Sequence, residues 1–415
     1  MYWGHRSEYS VWLDSNGHRD AYSNFEATLA ISEQTGRSES TPRTIDEVQD
    51  FMDKERDWLF GFISYDVKNQ LEPLVSEHPD HIGFPLIGFF VPDKIIQMKG
   101  NNVTFLYRKV VKGDIQADFD RLNTFVSQET KDSSTEVARI RMRIHKEAYF
   151  KKVNALLDHI HKGDIYEANF CQEFYVENTP LNPVQTFERL NTISKAPFSA
   201  LLRWKGKHLL CASPERYLKR EAHTVLSQPI KGTAPRGSNA AEYKKISKAQ
   251  KQVPIDRSEN IMITDLVRND LSKGALRGSV SVEELCEVYS FEQVHQMIST
   301  VKAKVANSKK ATDLIRDTFP MGSMTGAPKI SAMKLIEKHE ETKRCLYSGT
   351  VGYFSPNWDF DFNVVIRSIL YNAETQYISF SVGSAITAKS NPEKEYQECL
   401  LKAKAMRKVL ESKNP

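Results

Sequence analysis

Asp256 and Glu259 are three residues apart, as are Glu395 and Glu398, so on a helix each pair would share one face. Lys402 follows one turn after Glu398. One carboxylate from each of two helices, turned toward a common cavity, suits Mg²⁺, which takes few protein oxygens and keeps waters or substrate oxygens. Spacing alone favours the plainer reading, a solvated charged face. Lys231 is boxed between Pro229-Ile230 and Gly232-Thr233, where desolvation would favour the neutral, nucleophilic amine; an exposed turn fits the same residues equally well. His295, midway along Val288-Tyr-Ser-Phe-Glu-Gln-Val-His-Gln-Met-Ile298, reads most simply as a satisfied core histidine. Arg367 lies in the apolar run Phe362-Asn-Val-Val-Ile-Arg-Ser-Ile-Leu370 and needs a buried partner, for which a substrate carboxylate is one candidate. Gly322-Ser-Met-Thr-Gly-Ala-Pro-Lys329 lacks the Gly-Lys-Ser/Thr of a phosphate loop and reads as a tight turn before a helix. The residue types thus lead to a candidate Mg²⁺ and carboxylate site with a candidate nucleophilic lysine.

These groups need elements to position them. Tyr149, Val153, Leu156, Leu157 and Ile160 recur at helical spacing over 146–161, and Gly163 ends that helix. Further helices are predicted at 240–252, 258–270, 311–317, 329–338 and 393–411. Strands are predicted at 58–65, 86–91, 104–111, 165–176, 199–204, 208–212, 348–354, 361–371 and 377–382. The polar stretch Ser127-Gln-Glu-Thr-Lys-Asp-Ser-Ser-Thr-Glu136 reads as a linker between an N-terminal subdomain, 1–135, and a catalytic domain, 136–415. Irregular interleaving of helices with short strands rich in Tyr, Phe and Ser predicts large antiparallel sheets with helices outside.

The 415 residues, 40% hydrophobic and 27% charged, have the profile of a globular chain with a sizeable core. A formal net charge of +4 gives no reason to expect a nucleic-acid or membrane partner. No apolar run reaches the roughly 18 residues of a membrane span, and Met1–Ser10 has no apolar stretch after a basic one, so no secretory signal is visible there. Five scattered cysteines without CxxC spacing argue against a disulfide framework and a zinc site, and predict a cytoplasmic protein.

Taken in order, several segments resemble the chorismate-utilising enzymes, which include the anthranilate, aminodeoxychorismate, isochorismate and salicylate synthases. They are Gly163-Asp-Ile-Tyr-Glu-Ala-Asn-Phe170, Ser213-Pro-Glu-Arg-Tyr217, Pro229-Ile-Lys-Gly-Thr233 and Glu259-Asn-Ile-Met-Ile-Thr-Asp-Leu-Val-Arg-Asn-Asp-Leu271. Phe319-Pro-Met-Gly-Ser-Met-Thr-Gly-Ala-Pro-Lys329, Tyr347-Ser-Gly-Thr-Val-Gly-Tyr-Phe354, Ile366-Arg-Ser368 and Pro392-Glu-Lys-Glu-Tyr-Gln-Glu-Cys-Leu-Leu-Lys-Ala403 complete the set. The resemblance is dense from about 140 to 412 and weaker before, where Leu59-Phe-Gly-Phe-Ile-Ser-Tyr-Asp66 is similar to a family element. Lys231 stands where anthranilate synthases usually carry alanine, and it sides with the branch that aminates chorismate at C4. Ser323 and Thr325 point the same way. Glu167 replaces the water-activating lysine of isochorismate and salicylate synthases, which argues against water as nucleophile.

The resemblance implies an α+β fold like that of anthranilate synthase component I, two large antiparallel sheets packed as a sandwich with helices outside. It implies Glu259 and Glu398 as Mg²⁺ ligands, and Arg367, Tyr347, Thr325, Lys402 and the backbone of Gly383, Ser384 and Ala385 as the chorismate-binding set. The relatives' Gly-Ala-Gly reads Gly-Ser-Ala at 383–385. Glu215 would be the general acid for the departing 4-hydroxyl, Lys231 the nucleophile, and His295 a further site residue. The motifs spread one site from Glu215 to Lys402, and none of the cysteines lies in a Gly-x-Cys-x-Gly turn, so ammonia is expected from a separate glutaminase subunit. The rivals are an anthranilate synthase component I, disfavoured by Lys231, and an inactive chorismate-binding subunit, disfavoured by the joint presence of acid and nucleophile.

Overall fold

The computed structural model describes the chain except residues 19–20, 33–38, 41, 110, 112–113, 126–138, 236–253, 291–293 and 412–415; residues 39–40, 233–235, 254–256, 290 and 294–295 are described by their backbone alone. Two large sheets dominate, and every strand pair among the described residues is antiparallel.

The first sheet runs 326–327, 167–176, 377–387, 368–372, 207–213, 198–204, 9–14, 27–32, 94–99, 102–107, with 141–142 also paired to 167–176. The second runs 230–235, 294–304, 224–228, 216–221, 360–363, 350–354, 59–63, 87–90, 39–40, with 281–290 also paired to 294–304. Both sheets take strands from each side of residue 135. The linker expected at 127–136 and the helix expected at 240–252 fall outside the described residues.

One core lies between the sheets, with Val11, Phe60, Phe62, Phe89, Leu202 and Phe362 all buried within it. A second core lies on the outer face of the first sheet, beneath helices. This explains why 167–176 is buried on both faces and reads as a strand without clean alternation. The helix Lys146–Lys162 places Tyr149, Val153, Leu156, Leu157 and Ile160 into that outer core, as their spacing requires. It stops at Gly163, whose φ of 86° lets its N–H reach back to the carbonyls of His159 and Ile160. The helix Pro392–Glu411 lies over 377–387, and the helix Pro254–Ser272 lies over 230–235 and 294–304.

One expected element divides. The strand expected at 361–371 is two strands, 360–363 in the second sheet and 368–372 in the first, joined by a corner at Val364–Arg367. A continuous apolar run shows that the segment is buried, but not that it changes sheets midway. The chain makes a second such crossing at Pro214–Glu215, between 207–213 and 216–221. Val364 N–H donates to Glu215 O at 3.0 Å, so the two corners are tied together. Arg367 adopts φ +53°, a left-handed conformation that a non-glycine residue holds only when its surroundings demand it.

Candidate active site

Each corner presents a functional side chain. Glu215 is buried, and Ser323 Oγ donates a 2.7 Å hydrogen bond to its Oε1. Burial raises its pKa from the ordinary value of 4.5 to about 7, against the opposing pull of the Ser323 bond and the charge of Lys231. Such a carboxyl still carries its proton near neutrality and can donate it.

Lys231 projects from the edge strand of the second sheet and meets Glu167, on the first sheet, at 3.0 Å from Nζ to Oε1. The ion pair therefore bridges the sheets. Its side chains are 12% and 0% exposed. Here the structure corrects the sequence-based expectation. Burial does push Lys231 toward the neutral amine, but the charges of Glu167, Glu259 and Glu215, with the Glu167 hydrogen bond, outweigh it, and the net pKa is raised. The amine is held as an ammonium. In the sequence Glu167 stands out only as the place of a missing lysine; its pairing with a residue 64 positions later has no local signal.

Glu259, on the Pro254–Ser272 helix, acts electrostatically on Lys231, and Lys231 acts on Glu398 of the Pro392–Glu411 helix. The two predicted carboxylates therefore face one ammonium from separate helices. Glu398 Oε1 lies 2.6 Å from Lys402 Nζ, which also donates to Gly383 O at 2.9 Å. Although burial opposes it, Glu398 is held below the ordinary carboxylate range by Lys402, Lys231 and Arg367. Glu395 accepts a hydrogen bond from Ser384 Oγ. No group of three or more His, Cys, Asp or Glu side chains among the described residues forms a ready metal cage. The Glu259 and Glu398 pair fits a hard cation that takes few protein oxygens, as Mg²⁺ does.

The Arg367 guanidinium makes no hydrogen bond or ion pair among the described residues, while its carbonyl accepts from Ala212 N–H at 3.2 Å. Burial lowers its pKa, and the nearby Tyr347 phenol and Glu398 carboxylate restore only part of the loss. A guanidinium so placed favours an incoming carboxylate. Tyr347 is buried beside Cys171, and burial drives its phenol well above the ordinary range. The strand 368–372 pairs with 377–387 only through Ser379, while 167–176 continues alongside it to Thr387. Beyond Ser379, alternate backbone N–H groups of the Gly383-Ser384-Ala385 stretch thus face a side that no strand among the described residues has claimed.

Thr325 Oγ1 donates within its own turn, to Met321 O at 3.1 Å and Gly322 O at 3.3 Å. The side chain of His295 lies outside the described residues; its backbone pairs with Ala234 and Ser290.

The fold and this buried acid–lysine–carboxylate site define a class first. The crystal structure of anthranilate synthase component I from Streptococcus pneumoniae superposes with a TM-score of 0.75 at 26% identity, over 84% of this chain and 80% of that one. The fold is therefore α+β of the kind expected, with two antiparallel sheets and outer helices.

The chain belongs to the chorismate binding enzyme family, whose description matches residues 8–408. It is 32% identical over 403 residues to aminodeoxychorismate synthase component 1 of Escherichia coli, covering 93% of this chain and 87% of that protein. It is 38% identical over 286 residues to a probable chloroplastic aminodeoxychorismate synthase of rice, covering 68% of this chain and 32% of that protein. The chain thus spans only about a third of the rice relative's length. Among the described residues, no helix is long and apolar enough to cross a membrane.

Proposed function

We propose that this chain acts as component I of an aminodeoxychorismate synthase, converting chorismate and ammonia to 4-amino-4-deoxychorismate for 4-aminobenzoate and folate synthesis. One observation carries the reading: Lys231 and Glu215 act electrostatically on each other in one buried site, a retained lysine facing a carboxyl whose pKa sits near 7. Glu215 protonates the departing 4-hydroxyl, and Lys231 attacks C2 as the C4–O bond breaks. Ammonia then adds at C4 and displaces the lysine. Arg367, Tyr347, Lys402 and the 383–385 backbone hold the substrate carboxylates, and Thr325 and His295 complete the surroundings. Mg²⁺, held by Glu259 and Glu398, would neutralise the ring carboxylate. The ammonia comes from a glutaminase subunit. The five free, buried cysteines support a reducing, cytoplasmic setting.

The test is incubation of the purified chain with chorismate, Mg²⁺ and an ammonium salt. The expected product is 4-amino-4-deoxychorismate with its pyruvyl group retained. Anthranilate would move the chain to the other aminating branch, and isochorismate would remove the nitrogen chemistry. Lys231→Ala is expected to abolish the covalent adduct seen by mass spectrometry, and an adduct persisting in that variant removes the nucleophile.

A further inference from the structure

The acid–lysine pair leaves one proton without a destination. Lys231 is an ammonium in this site, and an ammonium has no lone pair with which to attack carbon. The proton must leave before the C–N bond forms, and it must be available again when the lysine departs. Glu215 cannot take it, because that carboxyl has to arrive protonated to release the hydroxyl as water. Glu259 and Glu398 also face Lys231 electrostatically, from their two helices, but both are engaged in the proposed cation site.

Glu167 remains. It touches Nζ at 3.0 Å through Oε1, it is wholly buried, and its Oε2 is a buried oxygen with no hydrogen-bond partner among the described residues. An unsatisfied carboxylate oxygen is costly to bury unless it has a task, since it forfeits its hydration without replacement. Its backbone is locked between the strands 377–387 and 326–327, where it pairs with Thr387 and Ala327, so it is a rigid platform.

We propose that Glu167 is the catalytic base of this site, taking a proton from the Lys231 ammonium as the lysine bonds to substrate and returning it when the lysine leaves. The proposal rests on the reading of Lys231 as nucleophile given above. The balance is complete. An N–H bond of Lys231 breaks and its proton passes to Glu167. The freed lone pair forms the N–C2 bond, the ring π electrons shift, and the C4–O pair leaves with oxygen, which collects the Glu215 proton and departs as water. When ammonia bonds to C4, the electrons shift back, the C2–N pair returns to Lys231, Glu167 re-protonates the neutral amine, and the new C4 ammonium gives up one proton to restore the Glu215 acid. No oxidant or further reactant is needed.

The test compares Glu167→Gln and Glu167→Asp with the parent chain, following Lys231 adduct formation with chorismate and Mg²⁺ by rapid-quench mass spectrometry. Thermal unfolding and chorismate affinity are measured alongside. Glutamine can still accept the Lys231 hydrogen bond but cannot take a proton. The expected result is an adduct rate lower by about 10²-fold near neutrality, the usual worth of a positioned base, with chorismate affinity unchanged. The residual rate of Glu167→Gln should rise with pH, because solvent must then remove the proton, while Glu167→Asp retains more of the parent rate. An adduct rate in Glu167→Gln within a few-fold of the parent overturns the proposal. So does an equal loss in both variants that tracks lost folding or affinity, which would make the pair a structural bridge between sheets. If Glu167→Gln does not fold, Glu167→Asp decides through its own adduct rate: a pH profile parallel to the parent's supports the base, and no adduct from a folded variant overturns it. A parent chain that forms neither adduct nor aminated product overturns the Lys231 reading and this proposal together. Failure confined to the Glu167 variants strikes the proposal alone.

Discussion

Ser323 Oγ donates a 2.7 Å hydrogen bond to Glu215 Oε1, joining a turn between two helices to the corner where the chain passes from one sheet to the other. The bond favours the ionised carboxylate, while burial favours the protonated acid and prevails. Ser323→Ala should therefore raise the Glu215 pKa further above 7. The alkaline limb of the kcat/KM profile is governed by loss of the acid's proton, so it should move up by about one pH unit, given that a hydrogen bond to a charged group contributes roughly 1.5 kcal/mol or more. A pH–rate profile checks this, and a limb that stays put or moves down removes Glu215 as the acid.

Arg367 separates binding from stability. Its guanidinium has no partner among the described residues and is held in a buried corner. Arg367→Ala should weaken chorismate binding by about 10-fold to 100-fold, the loss of charge-assisted bonds to a carboxylate. Resistance to urea should not fall, because the substitution removes a buried, unneutralised charge. Calorimetric titration and urea melts decide it together: a large stability loss with intact affinity would mean that the guanidinium serves the fold.

Gly383 has a packing reason to lack a side chain. A Cβ there would lie 2.7 Å from Cys171 Sγ and 2.8 Å from Asn169 Oδ1. Gly383→Ala forces 377–387 away from 167–176 and should destabilise by about 1–3 kcal/mol, the usual cost of overpacking. Because Lys402 Nζ donates to Gly383 O, chorismate affinity should fall in the same variant. Chemical denaturation and a binding titration measure the two effects, and wild-type stability would refute the packing account.

Glu398 tests the proposed cation. Its charge is shared with Lys402, and its side chain is 46% exposed, so Glu398→Gln should leave stability nearly unchanged. The Mg²⁺ concentration needed for half-maximal turnover should rise by about 10-fold or more. Activity measured across a Mg²⁺ titration checks this, and an unaltered dependence would remove Glu398 from the cation site.

The long periodic elements were legible in the sequence. The helix read at 146–161 is observed at 146–162, and the strand read at 165–176 is observed at 167–176, because burial of one face or of two leaves a mark at each position. The corner at Val364–Arg367 was not legible, since an apolar run looks alike whether it stays in one sheet or crosses to another. The carboxylate pairs were seen, but their spacing alone favoured a solvated face. The charges that Lys231 and Glu398 feel arise from helices and strands far apart in the chain.

The sequence by itself determined which groups this protein has for chemistry and the order in which they occur: Glu215, Lys231, Glu259, Arg367 and Glu398, each within a segment whose residue types follow directly from the chain. Only the tertiary structure decided their protonation and their partners. A pKa is set by burial and by charges within a few ångströms, and those charges come from segments brought together by folding. That is why Lys231, whose burial alone would favour the neutral amine, keeps its proton against Glu167, and why Glu215 keeps its own.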